Sequence, residues 1–484
     1  MANFENLRCS KVLRYFEEIS KIPRGSGNEK EISDYVVDFA KKRGLWVKQD
    51  TALNVIIKKP ASKGCENMPS VIIQGHLDMV CEKNRDVVHD FLKDPIEIIY
   101  DGDFIKANGT TLGGDDGIAV AMGLALLDNN SIEHPALEVV FTTDEEVGMC
   151  GAANFDGNLL DGKILLNIDS EKEGVFTGGC AGGMKTHTHL PLKYQKQDIN
   201  LVSYAIMITG LNGGHSGIDI DKGRANANIL MARLLNSLLC KFDINVNYIS
   251  GGIKDNAIPR EAECIISFDE TLLSDIQKNI NDINNVFTSE FKNNDSEIVV
   301  KFNETEKQEL CFSKDTLKNI IAVITLLPSG VQTMSFDIDG LTESSNNLGV
   351  VKIIDNEIIF ICALRSSVVS LKYFIYDKIK TISELAGGYV TYVGDYPAWE
   401  YNENSKIKKI CMETYEKLFN KKAEEEIVHA GLECGIFAKK KPGIDMISFG
   451  PDLFDIHTPK EKASISSIDR CWIFLLEVLK NLSE

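Results

Sequence analysis

The ten residues at 71–80, Val-Ile-Ile-Gln-Gly-His-Leu-Asp-Met-Val, constrain the chain more than any other stretch. Residues 71–74 read as a buried strand that stops at Gly75, and His76 and Asp78 follow. On extended backbone, side chains two residues apart point to the same side. An imidazole and a carboxylate therefore leave one strand end together, at the edge where open α/β sheets gather their ligands. His76 is suited to hold a metal while Asp78 orients it or a neighbouring group. Taken alone, His-x-Asp is more often two solvated polar residues at a strand end.

Other apolar runs end in the same way, and this recurrence gives the motif its weight. Residues 137–143 run into Asp144, Glu145 and Glu146; residues 164–168 end at Asp169; residues 445–449 lead through Gly450 and Pro451 toward His457. Three consecutive acids repel one another unless protons or a cation compensate. At 109–119, Gly-Thr-Thr-Leu-Gly-Gly-Asp-Asp-Gly-Ile-Ala, a glycine-rich turn delivers Asp115 and Asp116 to a small-residue helix at 119–127. Asp also serves as an ordinary helix cap, and glycine permits close approach to a ligand without requiring it.

Length and composition narrow the class. A chain of 484 residues exceeds one typical core, so two domains are expected. A net charge of −19 disfavours nucleic acid and anionic membrane as partners. The 12 cysteines include no Cys-x-x-Cys pair, which argues against a thiolate zinc site and a disulfide scaffold. Residues 1–6 lack a basic region leading into an apolar run, and no apolar stretch approaches the ~18 residues of a span. The expectation is a cytoplasmic protein without a leader.

Helical periodicity covers 6–20 and 29–44. The glycine run at 178–183 reads as a hinge, after which the pattern changes. Strands and helices from 202 to 302 form one α+β unit, and those from 314 to 394 resemble a second copy. The expected organisation is an α/β domain at 1–186, an insert at 187–397, and the rest of the first domain at 398–484. Of the 8 histidines, His76 and His457 stand at strand ends beside acids, and His215 lies in a flexible Gly-Gly-His-Ser-Gly loop. His429 precedes Ala-Gly-Leu-Glu-Cys-Gly and could shape a pocket. His189 reads as solvent-facing on an alternating strand, and His89, His134 and His187 as structural or exposed.

Gly75-His76-Leu77-Asp78, Gly113-Gly114-Asp115-Asp116-Gly117, Thr143-Asp144-Glu145-Glu146-Val147-Gly148 and Asn167-Ile168-Asp169 stand in the order found in co-catalytic zinc peptidases and deacylases. With His429–Gly435, Ser448-Phe449-Gly450-Pro451 and His457-Thr458-Pro459, the chain resembles in particular the aminoacyl-histidine (Xaa-His, carnosinase-like) dipeptidase family. The likeness runs from about residue 10 to the C-terminus. It implies a catalytic domain with a mostly parallel central sheet flanked by helices, and an inserted α+β lid of two similar halves.

The resemblance also implies roles. His76 and Asp169 would bind one divalent metal, Glu146 and His457 a second, and Asp115 would bridge them. Zinc is the leading ion, with cobalt or manganese as alternatives; three carboxylates and two imidazoles suit all three. Asp78 would orient His76, and Glu145 would be general base and then acid. His215, Asn256, Arg365 and Gly431 match substrate-contacting positions, and the lid would limit substrate length by closing. One departure is Asp116, where many relatives carry Asn; it could weaken carboxylate binding or alter metal preference. The implied activity is hydrolysis of unblocked dipeptides, with a homodimer through the insert. The alternatives are a tripeptidase or N-acyl amino acid deacylase of the same architecture, or an inactive metal-binding protein. Retention of Asp78 and Glu145 beside all five ligands argues against inactivity.

Overall fold

The computed structural model describes residues 7–336 and 338–482. The leader-free reading of residues 1–6, and the first residue of the helix expected at 6–20, lie outside them. The described residues divide into two units: 1–180 with 401–427 and 432–484, and 181–400 with 428–431.

The first unit is built on an eight-stranded sheet. Its order is Trp46–Gln49, Val55–Lys59, Leu137–Thr142, Val71–His76, Ile164–Asn167, Asp445–Ser448, Val175–Cys180 and Glu424–Val428. The four central strands, Leu137–Thr142 to Asp445–Ser448, run parallel. Val55–Lys59 and Val175–Cys180 join them antiparallel. The sheet is thus parallel at its centre and antiparallel beside it, and at its edge the short connection 50–54 joins Trp46–Gln49 to Val55–Lys59 as antiparallel neighbours.

Every residue of Val71–His76 and of Leu137–Thr142 is buried, as central parallel strands with both faces covered must be. One cover is the helix Gly114–Leu127, whose residues from Asp116 onward are all buried. Its small residues allow the approach: a Cβ on Gly123 would lie 2.7 Å from the Phe141 ring. The C-terminal helix Ile465–Asn481 packs Phe474 against Phe449 and Phe176, with ring centroids 5.0 and 5.4 Å apart. Each such ring contributes about 1.5–3 kcal/mol by burial.

The second unit carries a sheet ordered Val299–Thr305, Val202–Thr209, Ala262–Phe268, Asn245–Gly251, Thr342–Ile354, Glu357–Ser366, Gly182–Pro191 and Tyr389–Tyr396, with Gly330–Met334 beside Thr342–Ile354. The first four strands belong with the helices Ala227–Lys241 and Leu273–Glu290, and the last four with Lys314–Leu326 and Val369–Leu385. The two sets meet where Gly251 faces Val351.

The boundaries differ from those expected at 186/187 and 397/398. The second set takes a strand, Gly182–Pro191, from ahead of the first set, so the unit begins at Ala181; the chain leaves it after Glu400, and 428–431 return to it. The glycine run at 178–183 is no open hinge loop. All of it but Ala181 lies within the strands Val175–Cys180 and Gly182–Pro191, and all six residues are buried. A Cβ on Gly182 would lie 2.6 Å from the Ala398 nitrogen, and one on Gly183 would meet the Tyr396 ring. These glycines serve close packing of backbone.

The strand Thr342–Ile354 opens on polar residues, and Ser344, Ser345, Asn346 and Asn347 are buried despite their polarity. Their side chains find internal partners, as buried polar groups must. Asn346 Nδ2 donates to the Pro328 carbonyl at 2.6 Å, and Asn347 Nδ2 to that of Ala257 at 2.8 Å. No helix among the described residues is long and apolar enough to cross a membrane.

Candidate active site

The parallel strands deliver their polar residues to one edge of the first unit. His76 is the last residue of its strand, Thr142 precedes the acidic turn, Asn167 precedes Asp169, and Ser448 precedes the segment to His457. Asp115 arrives from the start of the helix Gly114–Leu127, where its φ and ψ of −80° and 112° are not helical. The Asp115–Asp116 peptide is cis.

Asp115 stands between two imidazoles. His76 Nε2 lies 3.1 Å from its Oδ1, and His457 Nε2 lies 3.0 Å from its Oδ2. His457 Nε2 is also 2.9 Å from Glu146 Oε1, and His76 Nε2 is 3.7 Å from Asp169 Oδ1. The five residues expected to bind metal therefore converge, with Asp115 in contact with both imidazoles, and His76 also lies within ligand distance of Glu145 and Glu146. Ligand atoms of Asp115, Glu146 and His457 fall within 4.8 Å of one another, as do those of His76, Asp116 and Asp169.

Asp78 is fully buried and ties the site together. Its carboxylate lies 3.3 Å from His76 Nδ1 and accepts the Ser26 hydroxyl at 2.8 Å. It also accepts the backbone N–H of Glu145 at 3.1 Å and of Glu146 at 3.2 Å. Glu145 and Glu146 thus lie on a turn beyond the strand end. Asp144, at φ 52°, bends the chain into that turn.

Several elements that hold the site carried no sequence signal. Arg24 is buried and donates to the carbonyls of Leu77 at 2.9 Å, Asp78 at 3.0 Å and Gly113. Glu461 accepts the N–H groups of Leu112, Gly113 and Gly114 at 2.7, 3.0 and 2.7 Å. Together they fix the loop that presents Asp115. Glu433 lies inside the motif at 429–435, which did mark it. Asp116, the departure from Asn, is buried beneath Gly75 and accepts the His76 N–H at 3.1 Å.

The electrostatics call for cations. Burial lifts the Glu145 carboxyl to about 8, with Glu433, Glu146 and Asp115 adding to the rise against His76. Burial and neighbouring acids likewise raise Asp169 well above the usual carboxylate range, and Glu171 to about 7. The bonds to Asp115 and Glu146 push His457 up to about 10. So many buried acids at one point need positive charge to stay ionised together. Two imidazoles with carboxylates, and no cysteine in any of the converging groups, fit divalent zinc, cobalt or manganese.

The expected substrate residues all lie in the second unit. His215 pairs with Ala257 in a two-residue bridge, and Ser216 donates its N–H to the Asn256 carbonyl at 2.9 Å. The His215 ring accepts the N–H groups of Gly217 and Ile218 at Nδ1, at 3.2 and 3.1 Å, which leaves its proton on Nε2. Burial and Arg365 hold its pKa below the usual value. Arg365 Nη1 donates to the Tyr396 hydroxyl at 3.1 Å, while its buried Nε has no hydrogen-bond partner among the described residues. His429 Nε2 lies 2.7 Å from Ser345 Oγ, and Gly431 closes the short 428–431 segment. His189 is not simply solvent-facing: it bonds Glu357 at 3.0 Å and stacks on Tyr389.

Comparison with known proteins gives the family and the fold. The model of peptidase family M20/M25/M40 matches residues 72–481. The chain is similar to the cytosol non-specific dipeptidase of Escherichia coli (strain K12), 36% identical over 482 residues that cover 100% of this chain and 99% of the relative. Among solved structures it is similar to the aminoacylhistidine dipeptidase of Vibrio alginolyticus, with a TM-score of 0.92, 35% identity, and coverage of 99% of this chain and 98% of that one. A tripeptidase from Staphylococcus aureus shares the fold at a TM-score of 0.56 and 18% identity, covering 99% of both chains.

Proposed function

The chain belongs to peptidase family M20/M25/M40, and from that premise we propose that it is a metal-dependent dipeptidase acting on free dipeptides, Xaa-His among them. The observation that carries this reading is the placement of Asp115 between His76 and His457, each about 3 Å away. A carboxylate offering one oxygen to each of two histidine-containing sets is what a bridged two-cation site needs. His76, Asp115 and Asp169 would hold one ion, and Asp115, Glu146 and His457 the other, with zinc the leading ion. When bound, such ions polarise a peptide carbonyl and acidify a water.

The chain supplies the proton handling and the positioning. Glu145, buried next to a ligand, takes a proton from the attacking water and returns it to the leaving amine. Asp78 holds His76 and the Glu145–Glu146 turn in place through the bonds described above. Arg365, with a buried donor unused, reads the free α-carboxylate. His215 offers a neutral Nε2–H donor for developing charge, and Asn256 and Gly431 complete the substrate contacts. The cytosolic naming of the Escherichia coli relative fits a cytoplasmic site of action. The exposed Tyr389, Tyr392 and Val393 on the outermost strand of the second unit's sheet suit a homodimer through that unit.

The test is hydrolysis of a panel of free dipeptides, tripeptides and N-acyl amino acids, with zinc, cobalt or manganese added, alongside a count of bound metal. The reading expects two ions per chain and cleavage of the free dipeptides first. Cleavage of N-acyl amino acids in preference to dipeptides would select the deacylase alternative, and preference for tripeptides the tripeptidase.

A further inference from the structure

Glu433 is among the most deeply buried acids of the first unit, with 0% exposure. It stands at the start of the helix Glu433–Lys440, and its Oε2 accepts two hydrogen bonds. Gln74 Nε2 donates at 2.6 Å, and the Thr142 hydroxyl at 2.6 Å. Gln74 passes the polarity on, because its Oε1 accepts Asn167 Nδ2 at 2.6 Å.

These three partners stand on adjacent parallel strands. Gln74 faces Asn167 in register, and Thr142 faces His76. Each lies just before a predicted metal ligand: Gln74 two residues before His76, Asn167 two before Asp169, and Thr142 ahead of the Glu145–Glu146 turn. The belt Thr142–Glu433–Gln74–Asn167 therefore crosses the sheet directly under the ligands.

The chain of donors has one direction, and Glu433 sets it. A carboxylate only accepts, so Gln74 must turn its amide nitrogen toward it and its oxygen toward Asn167. Remove the acceptor and both amides are free to flip, and the strand ends lose their cross-tie. Neither Glu433 Oε1 nor Asn167 Oδ1 has a hydrogen-bond donor among the described residues. No lysine or arginine pairs with Glu433 among them, unlike Glu138 farther back on the Thr142 strand, which pairs with Lys58. A buried, unpaired carboxylate at this position costs stability, so packing alone does not account for it.

We infer that Glu433 is a positioning residue for the cation site, which acts through Gln74, Thr142 and Asn167 to hold His76, Asp169 and the Glu145–Glu146 turn at binding distance. This rests on the two-cation reading above. Groups that orient metal ligands from behind are worth about 10- to 100-fold in metal affinity.

The experiment measures zinc and manganese affinity by chelator competition, with unfolding temperature in parallel, on the full chain. The wild type is measured first; a chain that binds no divalent ion overturns the functional reading, and this inference with it. Glu433→Ala is expected to lose about 10- to 100-fold in affinity. Glu433→Gln keeps an acceptor for Gln74 and Thr142 and should recover to within about threefold of wild type. Glu138→Gln, a buried acid remote from the ligands, should lower the unfolding temperature and leave affinity unchanged. Wild-type affinity in Glu433→Ala overturns the inference alone. So does a Glu433→Gln as weak as the alanine variant, or a Glu138→Gln that loses metal equally.

Discussion

His457 Nε2 lies 3.0 Å from the Oδ2 of Asp115, although 342 positions separate the two residues in the chain. The contact joins a helix start in the first third of the sequence to a loop near its end. Its purpose is legible only with the other Asp115 oxygen, which faces His76. Replacing Asp115 by Asn keeps the shape and removes the shared charge. With excess zinc, bound metal after gel filtration should fall from two ions per chain to fewer than one, and kcat/KM by more than about 100-fold. Metal analysis after gel filtration checks the first number and steady-state kinetics the second; a variant retaining both ions would show that Asp115 does not bridge.

Arg365 yields a prediction on substrate form. If its guanidinium binds the free carboxylate, Arg365→Ala loses a charged hydrogen-bonded pair, worth about 1.5–3 kcal/mol. KM for a free dipeptide should rise about 10- to 100-fold, and for the C-terminally amidated analogue it should change little. Parallel kinetics on the two substrates decide this: equal losses would remove Arg365 from carboxylate recognition.

The gathering of polar residues at one edge was legible because it sits on a pattern the backbone dictates. Apolar strands that end in His, Asp or Glu place those groups at one sheet edge, so the gathering of His76, Asp169 and Glu146 could be read from the pattern, whereas their assignment as ligands came from the family resemblance. Arg24, Glu461 and Ser26 were not legible, since their work is to bond backbone groups remote in sequence, and such partners leave no local pattern. The run 342–347 is opaque for a related reason. Its serines and asparagines resemble a loop until the buried partners of Asn346 and Asn347 are seen. The glycines at 178–183 were taken for flexibility, but glycine also marks places where backbone or a ring comes too close for a Cβ, as Tyr396 does at Gly183.

His429 makes the second unit sensitive to acid. Burial, together with the charge of Arg365 and the neighbouring His215, lowers it from 6.5 to about 4. The unfolded chain therefore takes up a proton below about pH 6.5 that the folded chain refuses until about pH 4, so stability falls as pH drops through that window. At about 1.4 kcal/mol per unit the loss amounts to about 3 kcal/mol at most. Hydrogen-exchange protection along Thr342–Ile354, which carries the Ser345 partner, should fall between pH 7 and pH 4.5 in the wild type once the intrinsic pH dependence of exchange is divided out. His429→Asn should show a shallower change; an identical pH dependence in both proteins would show that another group governs it.

Glu145 and Glu146 are adjacent, and both give their N–H groups to Asp78, yet the proposed function assigns their carboxylates different work. Glu146 Oε1 is 2.9 Å from His457 and belongs to a ligand set that includes Asp115. The Glu145 carboxyl is drawn up to about 8 by burial and the acids around it, Glu433 first among them. Bound cations would favour its ionised form, leaving a base beside the attacking water. Glu145→Gln preserves size and removes the ability to take a proton, so both ions should stay and kcat should fall by at least about 100-fold. Glu146→Gln removes a ligand, and its defect is one of occupancy. Excess metal should restore part of its activity, because mass action refills a weakened site and cannot replace a missing base. Bound metal and turnover, measured for both variants across a metal titration, separate the roles. A Glu145→Gln protein that is fully active, or that is rescued by added metal, would overturn the assignment of Glu145 as the base.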